Sequence, residues 1–361
     1  MRTPLFVACL LSLVTAAVLP GCGSDAADVG APVVDIAADP KAGFEFQETT
    51  YTVPGTGEER TIRLNVWYPT DDTEGALTRF NAISVDRGSF LNASVRVPSG
   101  QAPVMIYTHG DRGWGGSAFT LARQFVANGW IVVAVDHTGN TVLDNIDPRP
   151  FEFDVLRAYD VRAAHDHIAD LPAEHPLAGH LDTSRVLVVG HSYGGQTAWI
   201  VGGVELDMDA IEARCAPDCV QAELDAYAMY EPDPRVVAVV AMDGEVRSDS
   251  VADTGFTNMQ AAVMALTPSD MERHQVLFDR SVGADVTWVQ LDGACHESFT
   301  STNFGVCPTM EPTTGRRITA NYAIAFGSRH VLESRNAELL DVLDGTTEVD
   351  PVVTVTHHAA E

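Results

Sequence analysis

Six short apolar runs punctuate the middle of this chain: Val104-Met-Ile-Tyr-Thr108, Ile131-Val-Val-Ala-Val135, Val186-Leu-Val-Val189, Val236-Val-Ala-Val-Val240, Ala262-Val-Met-Ala-Leu266 and Val286-Thr-Trp-Val-Gln-Leu291. Each is nearly continuous rather than alternating, as in a strand covered on both faces, the usual state of a parallel sheet. Between them lie amphipathic stretches such as Phe119-Thr-Leu-Ala-Arg-Gln-Phe-Val-Ala-Asn, closed by Gly129, and Val155–Ile168. Upstream, residues 44–69 alternate with period two on either side of Pro54-Gly-Thr-Gly, which predicts an antiparallel hairpin. Strand, helix, strand repetition then predicts one doubly wound, mostly parallel α/β domain over residues 43–345. Residues 203–234, rich in Asp, Glu and Met, predict a small helical cap inserted over that sheet's serine-bearing turn. Residues 346–361 carry no pattern and are expected to be a C-terminal tail.

The two ends of the chain narrow the setting. Met1–Val18 carries one Arg and then an apolar core too short for a permanent membrane helix, the form of an export signal. It runs into Leu19-Pro-Gly-Cys22, which resembles the lipobox of bacterial lipoproteins and implies a signal over 1–21, lipidation of Cys22 and anchoring to the cell envelope. Without that lipidation the chain would be secreted. Residues 22–42 are small, acidic and proline-punctuated, the composition of a flexible tether. Four of the six cysteines then remain, Cys215, Cys219, Cys295 and Cys307. An even number in an exported chain implies disulfides, and sequence proximity favours Cys215–Cys219 and Cys295–Cys307. No clustered histidines accompany them, so zinc is not expected.

Charge excludes more than it suggests. With 22 basic and 50 acidic residues the net charge is −28, which argues against nucleic acid and anionic lipid headgroups as partners. The acid is spread along the chain and reads as a solvated surface.

The chemistry is concentrated where the third apolar run meets Gly190-His-Ser192-Tyr-Gly194 and then a helical pattern from Gln196. G-x-S-x-G between strand and helix makes a tight turn that lifts a serine hydroxyl above the sheet, with helix N–H groups beneath it. Serine is a poor nucleophile until an imidazole takes its proton, and that imidazole needs a carboxylate to orient it. Of twelve histidines, His191 should point away from the hydroxyl, and His165, His167 and His274 lie in helical patterns. His296 follows a strand end in Val-Gln-Leu-Asp-Gly-Ala-Cys-His and meets the chain order Ser, Asp, His. Two carboxylates end strands in the interval. Asp243 precedes Gly244, and could equally make an Asx turn. Asp270 follows Pro268-Ser269, and could equally cap a helix.

Thr108-His-Gly-Asp-Arg-Gly-Trp, Val133-Ala-Val-Asp-His137, Gly190-His-Ser-Tyr-Gly194, Ala241-Met-Asp-Gly244 and Leu291-Asp-Gly-Ala-Cys-His296 stand in the order of an α/β-hydrolase. From about residue 44 to 335 the chain resembles that superfamily, and more narrowly its dienelactone-hydrolase-like, platelet-activating-factor-acetylhydrolase-like and polyesterase-type serine esterases. The resemblance implies the α/β-hydrolase fold with a helical cap. It matches Asp243 to the acetylhydrolase acid and Asp270 to the polyesterase acid, and the first is preferred. It also implies an oxyanion hole from the backbone N–H groups of Tyr193 and Asp111, the Asp111 side chain turning outward or pairing with Arg112. Trp114 in the same loop is a candidate to line the substrate pocket. The expected activity is carboxylic-ester hydrolysis through a covalent acyl-enzyme, on a small-molecule or lipid-like ester, by a monomer needing no cofactor or metal. A peptidase or amidase of the same fold, or a non-catalytic binding lipoprotein, are the alternatives.

Overall fold

In the computed structural model, which describes residues 34–81, 84–247, 249–252, 254–269, 272–301 and 307–360, the six apolar runs are the six parallel strands of one sheet. The strands are β1 (Ala42–Thr52), β2 (Glu59–Tyr68), β3 (Leu77–Arg79), β4 (Val85–Leu91), β5 (Ala102–Thr108), β6 (Ile131–Asp136), β7 (Leu181–His191), β8 (Val236–Met242), β9 (Ala262–Pro268), β10 (Val286–Leu291) and β11 (Val353–His358). The helices are α1 (Phe119–Ala127), α2 (Phe153–Ala169), α3 (Tyr193–Val201), α4 (Met208–Cys215), α5 (Gln221–Ala228), α6 (Glu272–Arg280), α7 (Pro312–His330) and α8 (Ala337–Leu343). Spatial order is β11-β10-β9-β8-β7-β5-β6-β2-β1-β4-β3. The run from β6 to β10 is parallel throughout, and the expected hairpin of β1 and β2 joins it antiparallel through β2 and β6.

Strand parity divides the core in two. Met105, Tyr107, Val132, Ala134, Leu187 and Val189 face the layer of α1, α7 and α8. Val104, Ile106, Ile131, Val133, Val186 and Val188 face α2 and α3. Both faces of each parallel strand are therefore dry, which is why these runs read as continuous rather than alternating.

Three expectations about the chain's organisation need correction. The segment expected as a C-terminal tail contains β11, which pairs antiparallel with β10 from Val286↔His358 to Leu291↔Val353. It closes an edge of β10 that would otherwise present unpaired N–H and C=O groups. The end of the expected tether also rests on the body: Asp35 and Ala37 donate backbone N–H groups to Asn128 (3.2 Å) and Gln124 (3.1 Å), and Asp39 pairs with Arg123 at 3.0 Å. Residues 22–33, with Cys22 and the signal, lie outside the described residues. Finally, residues 203–234 are helical as expected, but Ile211, Ala226 and Tyr227 pack on Val155 and Tyr159 of α2. Their apolar side finds its partner there, and no residue of this insertion lines the cleft at Ser192.

Candidate active site

β5 is the point where strand order reverses, with β6 on one side and β7 on the other, so the loops leaving β5 and β7 rise together at the carboxyl edge. Thr108 pairs with Gly190 in that register. Ser192 sits between β7 and α3 at φ 57°, ψ −120°, a conformation that costs an ordinary side chain energy and persists only when its surroundings enforce it. They do: Ser192 N–H donates to Met242 O at 2.9 Å, and its own carbonyl accepts from Gly195 (2.8 Å) and Gln196 (3.2 Å). The flanking glycines are needed for close approach. A Cβ on Gly190 would meet Gly194 O at 1.9 Å, and one on Gly194 would meet Thr108 O at 2.0 Å.

His296 opens a short 3-10 turn, His296–Phe299, after β10. Its Nδ1–H donates to Asp243 Oδ2 at 2.5 Å, which makes Nε2 the acceptor nitrogen of the neutral ring. Asp243 follows β8 at φ 42°, with its N–H held by Leu266 O at 2.7 Å. Burial alone would raise the Asp243 carboxyl, but hydrogen bonding by His274 and His296 outweighs it and holds the group well below the usual carboxylate range. His274, from α6, brings Nε2 to 3.4 Å from Asp243 Oδ1. His191 lines the same cleft and donates Nε2–H to His296 O at 2.8 Å. A disulfide joins Cys295, directly before His296, to Cys307, and a second joins Cys215 to Cys219. Both follow the expected pairing.

Ser192, His296, Asp111 and Trp114 all line one cleft of about 280 Å³. Trp114 is buried in its wall. The Asp111 carboxylate, half exposed, accepts from Asn140 Nδ2 at 2.7 Å and pairs with Arg149; Arg112, its expected partner, stands back at 3.9 Å. Burial raises the Asp111 carboxyl, whereas Asn140 and Arg149 lower it and prevail. Tyr193 sends its hydroxyl away from the cleft to Asp154 Oδ1 at 2.6 Å. Asp270, the second candidate acid, lies outside the described residues. Among the described residues no group of three or more His, Cys, Asp or Glu is placed to hold a metal.

Sequence reasoning passed over the buried polar layer beneath the Thr108–Trp114 loop. His137 Nδ1–H donates to Asp160 Oδ2 at 2.9 Å while Nε2 accepts from Thr108 Oγ1 at 2.6 Å, and the His137 N–H donates to His109 Nε2 at 3.2 Å. His109 Nδ1–H donates in turn to Gly110 O at 2.7 Å. Each ring thus has one donor and one acceptor nitrogen and is neutral. Arg60 (2.7 and 2.8 Å) and Tyr51 (2.7 Å) complete the shell of Asp160. The blocks Thr108-His-Gly and Val-Asp-His137 stood out in the sequence, but nothing there paired them with one another or with α2.

Acid should expose the cost of keeping buried imidazoles neutral. Burial pushes His137 down to about 3 and His191 down to about 4, with nearby positive charge from Arg157 and His296 respectively adding to the effect. Folded values below the unfolded 6.5 mean that the unfolded chain binds protons first, so the stability is complete above pH 6.5 and is lost as pH falls toward the folded values. By pH 5 the loss is about 2 kcal/mol per histidine. The melting temperature should therefore fall by several degrees between pH 7 and pH 5, before most carboxylates titrate. A melting temperature that is flat over this interval would contradict it.

A family model described as the alpha/beta hydrolase family matches residues 105–345, more than half of the chain. Among solved structures, the ferulic acid esterase from Streptomyces cinnamoneus is similar with a TM-score of 0.63 over 90% of this chain and 98% of that one, at 18% sequence identity. At that identity the likeness speaks for the fold. No curated protein sequence matches.

Proposed function

The chain belongs to the alpha/beta hydrolase family, and from that premise we propose that it is a carboxylic-ester hydrolase using Ser192, His296 and Asp243 as nucleophile, base and acid. The hydrolase class follows from the family; the ester and the triad are our reading. What carries it is the 2.5 Å bond between His296 and Asp243 at the mouth of the cleft that also holds Ser192. The similarity to a ferulic acid esterase supports an ester over an amide substrate.

In this mechanism Ser192 Oγ attacks the ester carbonyl as His296 Nε2 takes its proton. The Asp243 carboxylate, held ionised, stabilises the imidazolium and fixes the ring so that Nε2 is the proton-accepting nitrogen. The N–H groups of Tyr193 and Asp111 receive the oxyanion. His296 returns the proton to the departing alkoxide, leaving Ser192 acylated, and then activates the water that releases the acid. Trp114 lines the site for one arm of the ester. The two disulfides are compatible with export, and no helix among the described residues is long and apolar enough to cross a membrane. From the Leu19-Pro-Gly-Cys22 sequence the proposal also takes an exported chain held to the envelope through lipidated Cys22, a monomer acting on small or lipid-like esters.

A p-nitrophenyl ester series from acetate to palmitate, run beside matching p-nitroanilides on purified protein, tests the class. The esters are expected to turn over with a chain-length optimum and the anilides at least about 100-fold more slowly. Equal rates on both would favour an amidase, and no turnover of any member would sink the enzyme reading.

A further inference from the structure

Arg157 of α2 is completely buried, yet none of its acceptors is a carboxylate. Its Nη2 donates to His109 O and to Thr108 Oγ1 (3.1 Å), its Nη1 to Asn140 Oδ1 (2.7 Å), and its Nε to Thr197 Oγ1 (3.1 Å). Carboxylates nearby have closer partners: Asp160 has Arg60, Asp111 has Arg149, and Asp154 has Tyr193. An arginine so desolvated is expensive unless its fixed fork is required.

The fork reaches the chain on both sides of the reacting centre. Two of its bonds hold the end of β5 and the residue before Gly110. A third reaches Asn140, whose amide grips the side chain of Asp111 at 2.7 Å. The fourth reaches Thr197, which itself donates to Tyr193 O at 3.1 Å, and the guanidinium carbon stands 4.5 Å from the Tyr193 ring centroid. We propose that Arg157 is the positioning residue of the oxyanion hole, a single buried guanidinium that sets the spacing of the two segments bearing the Asp111 and Tyr193 N–H groups and places a positive charge behind them. Burial pulls the guanidinium down to about 10, so it remains charged at neutral pH. A charge fixed in a dry interior acts on a developing anion more strongly than one in water. The substrate's ground state carries no such anion, so the effect falls on the transition state.

This inference rests on the esterase reading, and its test keeps the two apart. With p-nitrophenyl butyrate as probe, Arg157→Met should lower kcat about 100-fold, the scale of losing an oxyanion donor, while KM stays within about threefold. Inhibition by a trifluoromethyl ketone, whose adduct with Ser192 carries an oxyanion, should weaken by a similar factor. Arg157→Lys, which restores charge without the fork, should recover part of the loss in kcat. Should Arg157→Met fail to fold, Asn140→Ala and Thr197→Val each remove one limb and should lower kcat about 5- to 10-fold with KM again spared. A folded Arg157→Met with kcat near wild type, limb variants within twofold of wild type, or losses that appear equally in KM would overturn the assignment. Wild-type protein inactive on the ester would instead defeat the esterase reading.

Discussion

Ser192→Ala is expected to lower hydrolysis of p-nitrophenyl butyrate by at least about 10⁴-fold and to leave the melting temperature within a few degrees of wild type. The size follows from the chemistry: without the hydroxyl no acyl-enzyme forms, and only binding and oxyanion stabilisation remain to help water attack directly. The small stability change follows from the position. Ser192 is held in its strained turn by backbone bonds to Met242, Gly195 and Gln196, none of which needs the side chain. Alanine at φ 57° carries the same Cβ and so adds no new strain. Stopped-flow acylation by a p-nitrophenyl ester gives an independent reading, since the variant should show no burst. A variant retaining more than about 1% of wild-type turnover would remove Ser192 from the mechanism.

The second large effect separates two carboxylates. Asp243→Asn should reduce kcat by about 10³- to 10⁴-fold, because an amide in that position can donate its own N–H to the ring and select the wrong tautomer. Asp270→Asn should stay within about threefold of wild type, since His296 Nδ1 already gives its proton to Asp243. The pH profiles should differ as well. Asp243→Asn activity should climb with alkaline pH as hydroxide replaces the lost base, whereas Asp270→Asn should keep the wild-type profile. Comparable losses in both variants, or a larger loss in Asp270→Asn, would move the acid to residue 270.

Much of the architecture was legible because burial on both faces of a strand leaves a simple trace. The runs ending at Thr108, Val135 and Val189 each continue into β5, β6 and β7 within a few residues. β11 left almost none: Val353-Thr-Val-Thr is an edge strand paired on one side, and four alternating residues near a terminus look like any polar tail. The insertion at 203–234 was legible as helices but not in its placement, because the face that receives it belongs to α2, far away in sequence. Among site residues, Ser192 and His296 are marked by local patterns at strand ends. Arg157 and His274 are not, because a buried polar side chain on a helix is defined by partners on other elements. α2 buries Asp160 and His165 as well as Arg157, so the arginine did not stand out from its own helix.

The bridge between Cys295 and Cys307 places a covalent staple directly before His296, while the sheet beneath is held by its aliphatic and aromatic packing and its own ladder of hydrogen bonds. The turn that carries His296 is held by hydrogen bonds to Asp243 and His191, and it gains its covalent anchor only where cysteines oxidise. With His296 as the base of the proposed mechanism, turnover would then respond to the redox character of the surroundings through this one bridge, while the sheet, which holds no cysteine bridge of its own, would not.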